Sequence, residues 1–283
     1  MIHHTQLFAQ LTRPDDSHKG LFGSVAIVGG NIGMVGASVL AGRAAFATGA
    51  GKVWLNVLDA RLAVDVTAPE LMVCGAMDDL SGADAVAVGM GLGQDTTAHH
   101  AFMHALSHTD KPLIMDADAL NLLAQETSDA APLRQGLRAH HGATILTPHP
   151  AEAARLLGGT VAEVQANRVT CAQKIAAQYT SVTVLKGSAS IIAHPDGNHH
   201  INTTGNAALA VAGQGDVLSG VIVALLAQGL SAFDAACFAV YWHGLAGERY
   251  AFEAGGTVGL AASAMPSLLS RIINQWRTEQ ALR

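Results

Sequence analysis

The sequence predicts an α/β protein with three layers, in which helices cover both faces of a mostly parallel sheet. Short, nearly continuous apolar segments alternate with longer segments of helical periodicity, as in parallel sheets that are buried on both faces. Thirty glycines and an aromatic content of 5% suit closely packed α/β layers better than a disordered or fibrous chain. Because no linker, repeat or low-complexity segment divides the chain, we expect one domain over residues 1–283.

Six segments are predicted to be buried strands, because each is an apolar, β-rich run that ends in Gly, Pro or Asp. A hairpin is expected next, since the turn sequence Pro195-Asp196-Gly197-Asn198 separates two short β-rich segments. The six predicted strands are 24–30, 52–58, 84–91, 112–117, 143–148 and 182–187.

Helices are predicted between the strands, and three more close the chain. The second of these final helices starts at Ser231-Ala-Phe-Asp234, which is similar to a capping box, and ends near Gly255-Gly256. In a sheet of this kind, ligands bind beyond the carboxyl ends of the strands, so residues at those ends are the candidates for function. The predicted helices are 34–48, 96–107, 118–125, 150–157, 161–178, 215–228, 232–253 and 259–276.

Charge and composition exclude several classes of protein. A net charge of −6 without any run of Lys or Arg argues against a nucleic-acid partner. The N-terminus lacks the features of a secretory signal, and the apolar segment 217–230 is shorter than the ~20 residues that cross a bilayer. Three widely spaced cysteines fit neither a disulfide framework nor a zinc site, so we expect buried free thiols. The predicted protein is soluble and cytoplasmic, with no membrane partner.

The segment GQGDVLSGVIVALL, residues 213–226, places two glycines before a predicted helix and Asp216 in its first turn. A helix N-terminus binds anions through unpaired N–H groups and a positive partial charge, and glycines let the backbone approach a phosphate closely. The Asp216 carboxylate could take a proton from a hydroxyl that is about to be phosphorylated. The alternative is that Asp216 only caps the helix.

A second candidate segment is VLKGSAS, residues 184–190, at the end of a predicted strand. Lys186 could neutralise a phosphate while the following backbone wraps a nucleotide; the alternative is a solvated lysine before a turn. The segment is not a Walker A loop. Glycines in residues 29–38 also permit close approach by a ligand, although their spacing is not that of a dinucleotide fingerprint.

Histidines and acids offer further candidates. His149 lies between two prolines in TPHPAE, which suits either ligand contact or a structural role. Asp116 and Asp118 at a strand end could touch metal-bound water, but we expect Asp118 to cap the helix that follows it. Adjacent histidines point in different directions, so no metal site is predicted from the pairs at 3–4, 99–100, 140–141 and 199–200.

Six motifs, taken in order over about residues 18–270, together resemble the ADP-dependent NAD(P)H-hydrate dehydratases, a family with a ribokinase-like fold. Each motif alone is modest, but six in the same order are specific. The motifs are HKGLFGSVAIVGGNIGMVGASVLAGRAAFATGAGKVWL, VGMGLGQ, MDADALNLL, ILTPHPAEAARLLG, VLKGSASII and NTTGNAALAVAGQGDVLSGVIVALLAQG.

This resemblance implies a reaction. The substrate would be the S epimer of NADH or NADPH hydrate, which carries a hydroxyl on C6 of the nicotinamide ring. ADP would phosphorylate the hydroxyl, phosphate would leave, and NAD(P)H, AMP and phosphate would be the products. Mg²⁺ is expected with the nucleotide, and relatives imply a homo-oligomer, specifically a tetramer. Many relatives carry an epimerase domain ahead of this one; only about seventeen residues precede the match here, so we expect that activity on a separate chain.

The resemblance also implies roles for individual residues. Asp216 corresponds to the acid that activates the hydroxyl and contacts the substrate, and Gly215 corresponds to a nucleotide-binding position. Contacts with the hydrated cofactor are implied for Ala37, Gly93 and His149. The remaining nucleotide-binding positions are Lys186, Gly187, Ser188, Ala189 and Ser190.

The chain departs from the family pattern at two places. Gly205-Asn206-Ala207-Ala208 stands where relatives usually have Gly-Asn-Pro-Gly, and Gln214 stands where they usually have Thr or Ser. These changes could shift the loop or alter a phosphate contact, but the two glycines and the acid remain, so activity is expected.

Two rival functions stay open. One is a ribokinase-like kinase that uses ATP on a small metabolite such as a vitamin precursor; it would lack the TPHP and HKG segments. The other is a nucleotide-binding regulator without catalysis. Preference between NADH and NADPH hydrate, and between ADP and ATP, is not predicted.

Overall fold

Nine strands form a mixed sheet in the computed structural model, which describes residues 11–108, 110–125 and 130–281. In chain order they are β1 (Ser24–Gly29), β2 (Lys52–Val57), β3 (Met72–Gly75), β4 (Ala85–Val88), β5 (Leu113–Met115), β6 (Thr144–Leu146), β7 (Val182–Leu185), β8 (Ile191–Ala193) and β9 (His199–Ile201). They lie side by side in the order β3-β2-β1-β4-β5-β6-β7-β8-β9. The strands from β1 to β7 are parallel, and β8 and β9 add an antiparallel edge. The predicted mostly parallel sheet is therefore confirmed.

Helices cover both faces of this sheet. In chain order they are α1 (Val35–Ala47), α2 (Thr96–Ser107), α3 (Asp118–Ala124), α4 (Ala130–Ala139), α5 (Pro150–Leu157), α6 (Val161–Ala166), α7 (Arg168–Tyr179), α8 (Gln214–Ala227), α9 (Ala232–Ala254) and α10 (Met265–Ala281). Among the described residues, no helix is long and apolar enough to span a membrane.

The sheet separates two apolar cores. Side chains alternate along β1, so Val25 and Ile27 belong to one core and Ala26 and Val28 to the other. Helices α1, α8, α9 and α10 enclose the first core, and helices α2 to α7 enclose the second. Continuous apolar strands are thus explained by burial on both sides, and the predicted three layers are confirmed.

Two predicted helices differ from the structure. The segment predicted as one helix over 161–178 is two helices, because Asn167 between α6 and α7 has non-helical angles (φ −136°, ψ 45°). The last helix, predicted from 259, starts only at Met265, because Gly259 has φ +98° and a short 3₁₀ turn, Ala262–Ala264, comes first. By contrast, the cap predicted for α9 is confirmed: Ser231 Oγ accepts from Asp234 N at 3.1 Å.

Strand β3 and helix α4 are additional to the predicted elements. β3 is four residues long at the sheet edge, and none of its residues is fully buried. Helix α4 contains Pro132 and Gly136, which weaken its helical pattern. The prediction that all cysteines are buried is wrong for Cys74, since this edge strand leaves it half-buried, although all three thiols are free.

The carboxyl ends of the parallel strands meet at one edge of the sheet, where the first turn of α8 also lies. Glycine is needed here for close backbone approach: Gly89, just after β4, has φ +120°, and a Cβ on it would lie 1.9 Å from the Asp116 carbonyl oxygen. This packing draws the segment after β4 against the end of β5. The edge is therefore compact enough to bring distant motifs together.

Candidate active site

Helix α8 begins without a side-chain cap. Gly213 is its N-cap residue, with φ +88°, and no side chain of the described residues accepts a hydrogen bond from the first turn. The N–H groups of that turn are consequently free of side-chain acceptors, and the helix dipole adds a positive partial charge. Such an end is suited to bind an anion.

Asp216 lies in this first turn and is half-buried. No hydrogen bond from the described part of the chain reaches its carboxylate, so the interpretation of Asp216 as a helix cap is wrong. Burial raises its pKa to about 7, the nearby Asp116 charge adds to the increase, and Lys186 opposes it. A carboxylate with this pKa can take up a proton near neutral pH.

Lys186 forms a buried ion pair with Asp116. Its Nζ lies 2.7 Å from Asp116 Oδ1 and 3.9 Å from Glu152 Oε2, and its side chain is only 18% exposed. The interpretation as a solvated lysine is therefore wrong. Burial alone would lower the pKa of Lys186, but the two carboxyl groups outweigh it and hold that pKa above its ordinary value.

Asp116 is almost completely buried and well supplied with donors. Besides Lys186, it accepts hydrogen bonds from Ser219 Oγ at 2.8 Å and from Ala117 N at 2.9 Å. Burial disfavours its charge, but the charge of Lys186 and then hydrogen bonds from Lys186, Ser219 and Thr147 hold the pKa of Asp116 below its usual value. Asp116 is thus a buried carboxylate whose partners favour its charged form.

Asp118 does not cap α3, contrary to the expectation. The N-cap residue of α3 is Ala117, with no side-chain cap bond. Instead, Asp118 Oδ2 accepts from Gly93 N at 2.8 Å, and Oδ1 accepts from Gln94 Nε2 at 3.3 Å. Asp118 also raises the pKa of Asp216, after burial and Asp116, so the Gly93 segment lies within electrostatic range of Asp216.

His149 caps helix α5. Its Nδ1 accepts from Ala151 N at 3.1 Å and from Glu152 N at 3.3 Å, while Glu152 Oε2 accepts from His149 N at 2.7 Å. Because Nδ1 is an acceptor, the neutral ring carries its proton on Nε2. Burial and then Lys186 keep the pKa of His149 below its ordinary value. The ring remains 47% exposed, which leaves a surface for ligand contact.

Glu152 and Ser219 are site residues that the sequence analysis missed. Glu152 is 4% exposed, and burial raises its pKa to about 7. The capping-box position of Glu152, three residues after His149, could have identified it. Ser219 lies one turn after Gly215 on α8, but nothing in the sequence indicates that it binds Asp116.

The predicted nucleotide turn is exposed and preformed. Gly187 has φ +144° and Ala189 has φ +52°, and Ser190 Oγ lies 3.1 Å from Gly187 O. Arg168 supports the turn from behind by donating from Nη2 to Leu185 O at 3.2 Å. Ser188 is exposed at its outer side.

Ala37 and Gly93 lie in a second group at the same edge. A Cβ on Gly91 would meet the Ala37 Cβ at 3.2 Å, so helix α1 packs against the segment that contains Gly93. Asn31 Nδ2 donates to Leu92 O at 3.1 Å, which fastens the glycine-rich turn after β1 to the same segment. Asp118 connects this group with the charged residues around Asp216, because it accepts a hydrogen bond from Gly93 N and raises the pKa of Asp216.

The two departures from the family pattern have clear positions. Gln214 is 5% exposed, and its Oε1 lies 3.0 Å from His243 Nε2, so its side chain is turned into the interior. Asn206 Oδ1 accepts from Ala208 N at 3.0 Å, and Gly205 N donates to Glu248 Oε1 at 2.8 Å. The loop with two alanines is therefore held against α9.

No group of three His, Cys, Asp or Glu side chains forms a metal-ligand cluster among the residues that the structure describes. The histidine pairs at 99–100, 140–141 and 199–200 thus form no such site, and the pair at 3–4 lies outside the described residues.

An uncapped helix N-terminus beside a buried lysine and a carboxylate with a raised pKa is the arrangement expected of an enzyme that binds phosphate groups. The sequence profile of the NAD(P)H-hydrate dehydratases matches residues 25–272. The chain belongs to this family. It is 46% identical to the ADP-dependent (S)-NAD(P)H-hydrate dehydratase of Neisseria meningitidis serogroup B, over 88% of this chain and 84% of that protein. It also matches bifunctional NAD(P)H-hydrate repair enzymes and spans about half of their length.

Solved structures agree with the family. The ADP/ATP-dependent NAD(P)H-hydrate dehydratase of Bacillus subtilis, co-crystallised with ATP and Mg²⁺, is similar with a TM-score of 0.82 and 32% identity, over 97% of both chains. A ribokinase-like superfamily protein of Enterococcus faecalis is similar with a TM-score of 0.80 and 27% identity, over 97% of this chain and 95% of that one. The fold is ribokinase-like, as expected.

Proposed function

We propose that the protein catalyses ADP-dependent dehydration of (S)-NAD(P)H hydrate, which returns NAD(P)H and releases AMP and phosphate. The observation that carries the proposal is Asp216, a carboxylate with raised pKa and no hydrogen-bond partner from the described residues at an uncapped helix N-terminus. The relative named above, at 46% identity, bears this activity in its name.

In the proposed reaction, Asp216 accepts the proton of the C6 hydroxyl while the terminal phosphoryl group of ADP is transferred to the oxygen. Phosphorylation converts a poor leaving group into a good one, so phosphate departs from C6 while C5 loses a proton to solvent or to the departing phosphate, and the C5–C6 double bond is restored. General-base assistance of this type contributes about 10²–10⁴ in rate. The free N–H groups of α8 would stabilise charge on the transferred group.

The nucleotide is proposed to bind between Gly215 and the turn that contains Lys186, Gly187, Ser188, Ala189 and Ser190. Lys186 supports this assignment because its ammonium lies beside the first turn of α8. The exposed turn at 187–189 offers backbone groups to the nucleoside.

Mg²⁺ is proposed to accompany the nucleotide. This ion usually takes one or two protein carboxylates and completes its shell with phosphate and water. Among the described residues no three acidic, histidine or cysteine side chains form a dedicated metal cluster, so phosphate and water would supply most ligands of the ion, which would neutralise phosphate charge.

Ala37, Gly93 and His149 are proposed to contact the hydrated cofactor. Ala37 and Gly93 lie close together at the strand edge, and the half-exposed His149 ring lies beside Glu152 and Lys186 at the same edge. A homotetramer, a cytoplasmic location and an epimerase on a separate chain stay predictions. Exposed apolar side chains near the end of α9, Phe252 at 84% and Val258 at 91%, would suit burial between subunits.

The test is incubation with hydrated cofactor, ADP and Mg²⁺, with the near-ultraviolet absorbance of NAD(P)H followed over time. The proposal expects recovery of that absorbance together with AMP and phosphate. A stable phosphorylated product would instead identify a kinase, and nucleotide binding without turnover would identify a regulator.

A further inference from the structure

Asp116 and Lys186 come from strand ends that are not neighbours. Asp116 follows β5 and Lys186 follows β7, with β6 between them. The lysine side chain crosses the end of β6 to place its Nζ 2.7 Å from Asp116 Oδ1. The ammonium of Lys186 therefore lies closest to Asp116, with Glu152 farther away at 3.9 Å.

Asp116 holds the Lys186 ammonium beside the N-terminus of α8. A Cβ on Gly215 would lie 3.3 Å from Lys186 Nζ and 3.7 Å from Asp116 Oδ2. Gly215 has helical rather than left-handed angles, so its backbone does not require glycine. The space that Lys186 occupies explains the glycine, and a phosphate that reaches the helix N–H groups would meet the ammonium there.

Asp116 is itself anchored to the same helix. Ser219 Oγ donates to Asp116 Oδ2 at 2.8 Å, and Ser219 lies one turn after Gly215. The carboxylate thus connects the end of β5, the ammonium and α8 in one rigid arrangement. An ammonium has three donors, so the bond to Asp116 leaves two for phosphate oxygens.

We propose that Asp116 is a positioning residue for nucleotide binding, which holds the Lys186 ammonium at the N-terminus of α8. The inference rests on the proposed use of ADP. Without Asp116, the carboxyl left beside the ammonium would be that of Glu152, whose Oε2 lies 3.9 Å from Lys186 Nζ. Stability alone does not explain the pair, because buried ion pairs contribute little compared with apolar residues of similar volume.

A double-mutant cycle tests the inference. ADP binding with Mg²⁺ is measured by calorimetry, without hydrated cofactor, for the wild type, Asp116→Asn, Lys186→Met and the double variant. Asp116→Asn is expected to weaken ADP binding about tenfold, the effect of a misplaced charge-assisted hydrogen bond. In the Lys186→Met background the same change is expected to cause no weakening, because Asp116 acts through Lys186; loss of its charge near the phosphate would there leave ADP binding equal or tighter.

Tighter ADP binding by Asp116→Asn than by the wild type would overturn the inference. Removal of a negative charge near phosphate, without loss of positioning, would tighten ADP binding. Equal weakening in both backgrounds would also overturn it. In steady state, KM for ADP should rise while KM for hydrated cofactor stays constant; a rise in both would count against positioning.

Two further variants keep the test decisive. Ser219→Ala removes one anchor of Asp116 and is expected to weaken ADP binding in the same direction by a smaller factor, even if Asp116→Asn does not fold. Asp196→Asn, in the exposed hairpin turn, is the matched control and should bind ADP as the wild type does. Failure of the wild type to bind ADP would overturn the proposed function itself, whereas normal binding with an additive cycle would overturn only the role of Asp116.

Discussion

Two carboxylates at the same edge of the sheet have opposite properties. Asp116, at the end of β5, is more deeply buried than Asp216, at the tip of α8, yet the pKa of Asp116 is lowered and the pKa of Asp216 is raised to about 7. The difference lies in their partners. Asp116 has an ammonium, a hydroxyl and a backbone N–H, whereas no described donor reaches Asp216.

This comparison teaches that donors, rather than depth, decide which acid can act as a base. Burial penalises charge in both places, and only at β5 do the positive charge of Lys186 and hydrogen bonds to the carboxylate outweigh the penalty. The N-termini of helices α5 and α8 show the same contrast, because His149 and Glu152 cap α5, whereas no side chain in the described part of the chain caps α8. The unsatisfied tip is where a substrate would supply the missing partners.

The largest expected effect is a loss of turnover when Asp216, the acid without described hydrogen-bond partners, is replaced. Asp216→Asn keeps the shape of the side chain but cannot take up a proton, so kcat should fall by about 10²–10⁴. ADP affinity and the folded state should be retained, and turnover is measured by recovery of NAD(P)H absorbance. Asp196→Asn serves as the control. Turnover near the wild-type level would show that another group is the base.

The largest loss in the free energy of unfolding is expected when Asp116 loses its partner Lys186. Lys186→Met leaves Asp116 charged and uncompensated in the interior, which should cost about 3–5 kcal/mol in the free energy of unfolding. Chemical denaturation measures the change, and Asp116→Asn in the same chain should restore part of it. Lys174→Met on the exposed side of α7 is the control. Equal stability of both lysine variants would contradict the buried ion pair.

A moderate effect is expected at Gly215. In Gly215→Ala the new Cβ would press against the Lys186 ammonium. ADP affinity should therefore fall about 3–10-fold, the effect of losing roughly one hydrogen bond. The free energy of unfolding should not fall in parallel, because alanine favours a helix over glycine by about 0.5–1 kcal/mol. Gly256→Ala, where a Cβ meets nothing within 4 Å, is the control. Unchanged ADP affinity would mean that Lys186 does not contact the phosphate.

The smallest effect is expected at Gln214. Gln214→Ser removes the partner of buried His243, so the free energy of unfolding should fall by about 1 kcal/mol. Turnover should stay within about threefold of wild type, since the Gln214 side chain is turned into the interior and bonds to His243. A larger loss of turnover would mean that Gln214 contacts the nucleotide after all.

The sequence indicated most of the fold, because buried parallel strands leave long apolar runs and helices leave their own period. It did not indicate β3, whose exposed edge position gives no such run, nor the break at Asn167, which depends on local backbone angles. Asp216 and Lys186 were recognisable from glycines and strand ends. Their partners were not, since the bond from Lys186 to Asp116 joins residues 70 positions apart.

The central claim is that burial, the nearby Asp116 charge and the lack of donors hold Asp216 ready as a base, and direct titration of its carboxyl tests it. Carbon-13 NMR of protein with labelled aspartate, assigned with Asp216→Asn and Asp116→Asn, would follow both carboxyls with pH. The account predicts that Asp216 titrates near pH 7, so that activity is lost as the pH falls below this value, while Asp116 stays ionised across the neutral range. Titration of Asp216 in the ordinary range of an exposed aspartate, or of Asp116 near neutrality, would contradict it.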